Sequence, residues 1–176
     1  MLIVGDNLQS LADQCQIVDT DRAFDHTSLT LRFGRTVVRV EPPEGEVFTY
    51  GSCVPENWIT REDVPDSGYI IQPKTCVLAS SHETVKMPQG YLGMVQTKGS
   101  LARCFLTVHC CDGQVDSGFI GRLTFEICNL GPIPVKLIPR QKIAQLFIYQ
   151  TSTKNMHAYA GRYQKADGPT VARPES

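Results

Sequence analysis

Residues 98–129, KGSLARCFLTVHCCDGQVDSGFIGRLTFEICN, alternate apolar and polar side chains and break the alternation with glycine and aspartate turns. Leu123, Phe125 and Ile127 interleave with Thr124, Glu126 and Cys128, so a strand here buries one face and carries Glu126 on the other. Lys98, Ser100, Arg103, His109, Asp116, Arg122 and Glu126 crowd into the same stretch, more polar chemistry than a packed core needs. Lys98-Gly99-Ser100 has the makings of an anion cradle, since glycine admits close backbone approach while a hydroxyl and a cation supply donors; it also reads as an ordinary turn. Asp116 stands where a strand meets a tight turn, a frequent place for a structural aspartate. Glu126 reads either as a solvated strand carboxylate or, if enclosed, as a proton-transfer group whose pKa burial raises.

Working outward, the segments 29–33, 36–40, 69–71, 77–79, 93–97, 107–111, 123–128, 135–138 and 143–149 are short, apolar and spaced by turn residues, which predicts a mostly β sandwich or jelly roll. Residues 6–12 predict a short helix capped by Asp6 or Asn7, with Leu8, Leu11 and Ala12 on its buried side. Residues 42–46 and 64–68 read as surface loops. The tail, 159–176, loses apolar periodicity and reads as a frayed end or as an arm that orders over a ligand.

A chain of 176 residues is sized for one domain, 1–176. Its 17 Lys plus Arg balance 18 Asp plus Glu with no run of like charge, so no nucleic-acid or membrane surface is expected. Apolar runs such as 142–149 fall far short of the ~20 residues of a membrane span. Residues 1–8 carry neither a basic leader nor a small-residue cleavage site, and a cytoplasmic protein is expected. Seven cysteines, at 15, 53, 76, 104, 110, 111 and 128, show no paired spacing; reduced thiols and no metal site are expected, with Cys110 and Cys111 on opposite faces of a strand. Histidines 26, 82, 109 and 157 are scattered and no Cys-x-x-Cys accompanies them, so no zinc is expected. Walker and dinucleotide-binding glycine loops are absent.

Several motifs together, in order from about residue 24 to 173, resemble the dCTP deaminase family. They are His26-Thr27-Ser28-Leu29-Thr30-Leu31-Arg32-Phe33-Gly34, Lys98-Gly99-Ser100-Leu101-Ala102-Arg103, Val115-Asp116-Ser117-Gly118-Phe119 with Gly121 and Glu126, Gln145-Leu146, and Arg162-Tyr163-Gln164. The resemblance implies a distorted jelly-roll, dUTPase-like β-barrel with short helices, assembled as a homotrimer, with residues 159–176 as a closing arm. It assigns catalysis to Glu126 and Arg103, and contacts to a dCTP, dUTP or dTTP-type nucleotide to Lys98, Gly99, Ser100, Arg103, Asp112, Gln114, Asp116, Tyr159 and Arg162. Departures from the family pattern include Gly99 for a serine, Lys98 for an arginine, Ser117 for a proline and Ala166 for a glutamine.

Three readings follow. The first is zinc-independent deamination of dCTP, or of a related cytosine nucleotide such as a monophosphate or a modified cytosine, to dUTP and ammonia, with Glu126 taking a proton from water and Mg²⁺ arriving on the phosphates. The second is dUTPase-type hydrolysis, with Asp116 orienting water at phosphorus. The third is a nucleotide-binding homologue that has lost the chemistry.

Overall fold

The computed structural model describes residues 1–20, 24–110, 112–154 and 157–174. In chain order the elements are β1 (Leu2–Ile3), α1 (Gly5–Cys15), β2 (Phe24–Asp25), β3 (Ser28–Val40), a 3-10 turn (Glu56–Trp58), β4 (Ile59–Asp63), β5 (Tyr69–Ile71), β6 (Cys76–Lys86) and β7 (Tyr91–Thr97). There follow α2 (Gly99–Ala102), β8 (Leu106–Thr107), β9 (Gln114–Val115), β10 (Ile120–Asn129), β11 (Val135–Leu137) and β12 (Lys142–Gln150). The main sheet runs β8-β10-β6-β3-β12-β7-β9, and β5 pairs separately with β11.

The bend that closes this sheet into a half-barrel lies in β3. Two expected strands, 29–33 and 36–40, are one 13-residue strand whose first half pairs with β12, Leu29 opposite Leu146, and whose second half pairs with β4 and β6. Its register on β6 shifts between Phe33 and Val37. Gly34 makes this passage possible, because a Cβ there would lie 2.7 Å from the Ser80 carbonyl oxygen on β6. Inside the half-barrel Leu31, Phe33, Phe125, Ile127, Leu146 and Ile148 are fully buried.

Differences from the sequence expectation have local causes. β6 runs on past 79 through Ser80, Ser81 and Glu83, which break the apolar pattern yet are buried, the polar atoms of Ser81 and Glu83 being partnered. The Ser81 hydroxyl donates to the Glu83 carbonyl at 2.7 Å and accepts the Leu123 N–H at 2.9 Å. Glu83 Oε1 meets Arg32 Nη1 at 2.7 Å while its Oε2 accepts the Arg32 backbone N–H at 2.8 Å. β4, Ile-Thr-Arg-Glu-Asp, escapes detection because it is a charged strand paired only with β3. α1 starts earlier than expected: Val4 is its cap, without a side-chain bond, and Gly5 at φ +61° turns the chain directly from β1 into the helix. Lys98-Gly99-Ser100 opens a one-turn helix rather than a simple turn. Of the expected strand 107–111 only Thr107 belongs to a strand, and Cys111 lies outside the described residues. Among the described residues, no helix is long and apolar enough to cross a membrane.

Candidate functional site

The outer face of β10 carries Arg122, Thr124 and Glu126 at alternate positions, each half-buried, while Leu123, Phe125 and Ile127 point into the core. Opposite that face stand the β8–β9 loop and β9, and the tail after Tyr159 lies along the rim. Together they enclose a cavity of about 440 Å³, within the size range of small-molecule sites. Glu126 lines it with Asp112, Gln114 and Asp116 from the loop and β9, and with Tyr159 from the tail.

Hydrogen bonds hold these groups in place. Glu126 Oε2 accepts the Cys110 backbone N–H at 3.1 Å, tying the carboxylate to the loop. Asp112 Oδ1 accepts the Gln114 N–H at 3.0 Å, and the Gln114 side-chain amide donates to Asp116 Oδ1 at 2.7 Å. Asp116 then begins a turn in which its carbonyl accepts the Phe119 N–H at 3.1 Å. The His109 ring also faces the cavity, and its Nδ1 is buried without a hydrogen-bond partner.

The tail is stitched to the start of β10 by its own backbone. Tyr159 N–H donates to the Ser117 carbonyl at 2.8 Å, Lys165 N–H to that of Ile120 at 2.7 Å, and Arg122 N–H to that of Ala166 at 2.7 Å. The Gln164 side chain bridges the Ile120 N–H and the Gly118 carbonyl. Further along, the Thr170 N–H reaches the Thr124 hydroxyl at 3.1 Å. Gly118 is required here, since its φ is +84° and a Cβ would lie 2.7 Å from that of Ala158.

Other expected residues stand apart from this cavity. Lys98, Gly99, Ser100 and Arg103 belong to α2 and its flanks, beside β8, and are not part of the lining. The Arg103 guanidinium donates to the Gly99 carbonyl at 3.1 Å, and Lys98 Nζ lies 4.0 Å from Asp25. Arg162 is exposed, donates to the Arg173 carbonyl and does not line the cavity either. Thr124, assigned no role from sequence, joins the lining, and so do Tyr163, Ala166 and Thr170 of the expected closing arm. For Thr124 the signal was available, in its two-residue spacing from Glu126.

The cysteines correct two expectations. Cys76 and Cys128 are directly opposite across β6 and β10 and form a disulfide, where reduced thiols were expected. Cys110 brings a third sulfur 3.0 Å from Cys128 Sγ, and the three sulfurs lie within 4.8 Å of one another. The expectation of no metal or zinc site is therefore overturned: a cluster able to ligate a metal ion exists. Sequence spacing conceals it because strand register, not chain proximity, assembles it.

Comparison with known proteins places the half-barrel. The family model described as dCTP deaminase-like matches residues 3–151. "dCTP deaminase, dUMP-forming" of Sulfurihydrogenibium sp. is 32% identical over 153 residues, 87% of this chain and 84% of the relative. The protein of that name from Methanothermobacter thermautotrophicus is 34% identical over 169 residues, 90% of this chain and 81% of the relative. That of Acidothermus cellulolyticus is 38% identical over 113 residues, 61% of this chain, and this chain spans only 59% of its length. The crystal structure of 2'-deoxycytidine 5'-triphosphate deaminase from Agrobacterium tumefaciens shares the fold at TM-score 0.64 and 15% identity, over 84% of this chain and 47% of that one. The chain belongs to the dCTP deaminase-like family. Because these relatives are named for forming dUMP, the expected product, dUTP, is corrected.

Proposed function

We propose that this chain hydrolyses dCTP to dUMP, ammonia and diphosphate. The observation that carries the reading is that one nucleotide-sized cavity gathers Glu126 from β10 and Asp116 from the turn after β9, with Asp112 as a third carboxylate beside them. The overall change consumes two waters: one replaces the cytosine amino group and the other breaks the bond between the α-phosphorus and its bridging oxygen. Two hydrolyses call for two water-handling groups, and Glu126 and Asp116 divide the work.

At the base, Glu126 takes a proton from water as hydroxide adds to C4, then returns it to the amino group as the C4–N bond breaks and ammonia leaves. The Cys110 N–H keeps the accepting oxygen in place for both transfers. At the phosphate, Asp116 orients the second water, while the Gln114 amide on its Oδ1 fixes the direction of the remaining lone pairs. Asp112 and Tyr159 contact the nucleotide from the loop and the tail, and residues 159–174 act as the arm that covers it.

The phosphates need more cations than the cavity's Arg122. We assign these to Lys98, Ser100, Arg103 and the backbone at Gly99 of a neighbouring copy in a homotrimer, with Arg162 joining on closure of the arm. Support comes from exposed apolar side chains just after α2: Phe105 and Leu130, whose N–H donates to the Phe105 carbonyl, are 60% and 73% exposed, a surface suited to burial between subunits. The reading is tested with Glu126→Gln, which keeps the shape and removes the proton acceptor. Ammonia release should fall by at least a hundredfold while dCTP affinity stays within a few-fold. Unchanged ammonia release would remove Glu126 from the chemistry.

A further inference from the structure

We propose that Cys76, Cys110 and Cys128 form a thiolate site for Zn²⁺ that fastens the β8–β9 loop to β10. Two of these sulfurs form a disulfide, and the third is brought against them from a separate stretch of chain. Cys76 and Cys128 project from one face of the β6–β10 pair because they are directly opposed, and Cys110 comes down onto them from the loop. Three sulfurs from three separate stretches thus converge within 4.8 Å. Zinc–sulfur bonds of about 2.3 Å in tetrahedral arrangement set sulfurs roughly 3.8 Å apart, a spacing that side-chain torsions reach from here. Soft thiolates select zinc over magnesium or calcium. Cys76 and Cys110 are exposed, which gives the ion an entry path and leaves its fourth position to water.

The disulfide and the metal are alternative states of the same sulfurs. A phosphine or dithiol reductant supplies the two electrons that open the Cys76–Cys128 bond, and each thiol that binds zinc gives up its proton. The site adjoins the cavity: Cys128 is two residues from Glu126 on the same face of β10, and the Cys110 N–H holds the Glu126 carboxylate. A bound ion would therefore fix the loop that positions Glu126. This inference does not depend on the nucleotide reading.

The test uses the full chain, reduced with a phosphine and with all seven thiols counted before Co²⁺ is added without oxygen as a spectroscopic stand-in for zinc. The expected result is a thiolate-to-cobalt charge-transfer band that saturates at one ion per chain and is bleached by Zn²⁺. Cys110→Ser and Cys76→Ser should each weaken binding at least tenfold, while Cys53→Ser, in an exposed loop outside the cluster, should not. Circular dichroism checks that each variant is folded, and either of the two cluster variants suffices for the comparison. Absence of the band in fully reduced protein would overturn the proposal. So would a band of full strength in both cluster variants, or a Cys76–Cys128 bridge that resists the reductant.

Discussion

Glu83 and Glu126 both sit on long strands, and their partners give them different work. Glu83 is fully buried and spends both oxygens on Arg32, so its role is to join β6 to β3. Glu83→Gln removes the charge that compensates Arg32 and should cost about 3 kcal/mol, the lower end for a buried pair because Arg32 keeps some contact with solvent. Urea denaturation measures this, and a loss below about 1 kcal/mol would reduce the pair to an ordinary surface contact. Next to it, burial lowers the pKa of His82 below its usual 6.5, and Arg140, Arg122 and Arg32 add to the effect against the opposing pull of Glu83. Protons then bind the unfolded chain more readily, so stability is complete above about pH 6.5 and falls as the pH drops below it. His82→Gln should flatten the slope of melting temperature against pH in that acid window; an unchanged slope would assign it to other groups.

Among the elements, the tail depends on the turn before β10. Gly118→Ala puts a methyl group into Ala158 at a backbone conformation that costs an L-residue about 1–2 kcal/mol. The variant should release the tail, making tryptic cleavage at Arg162 and Lys165 faster while the half-barrel melts almost as before. Equal cleavage rates would show that the tail does not rely on this turn. Short apolar segments bounded by turn residues were legible in the sequence: residues 69–71 coincide with β5, and 123–128, where the alternation is clean, and 143–149 fall inside β10 and β12. β4 was not, being charged, nor was the second half of β6, where buried serines and Glu83 interrupt the pattern. At the cavity, Asp112, Gln114, Asp116 and Glu126 meet because β9 and β10 flank one turn, a proximity the chain itself announces. The tail's path and the cysteine cluster depend on contacts over 40 residues or more and on strand register, which periodicity does not encode.

At the scale of the whole molecule, the cavity that holds Glu126 and Asp116 and a helix turn with Lys98, Ser100 and Arg103 outside it are the two halves of one proposed site. Equilibrium sedimentation should give a trimer at micromolar concentration, and a monomer would leave the halves apart. Mixing unfolded Arg103→Ala and Glu126→Gln chains and refolding them together should restore about a quarter of wild-type activity, since half the sites receive each intact partner independently. No recovery would mean that each chain supplies its own Arg103. The most direct test follows ammonia, diphosphate, dUTP and dUMP together during turnover of dCTP by the purified protein. Equal amounts of ammonia, diphosphate and dUMP, with no dUTP released, are expected. Accumulation of dUTP, or diphosphate release without ammonia, would contradict the proposed reaction.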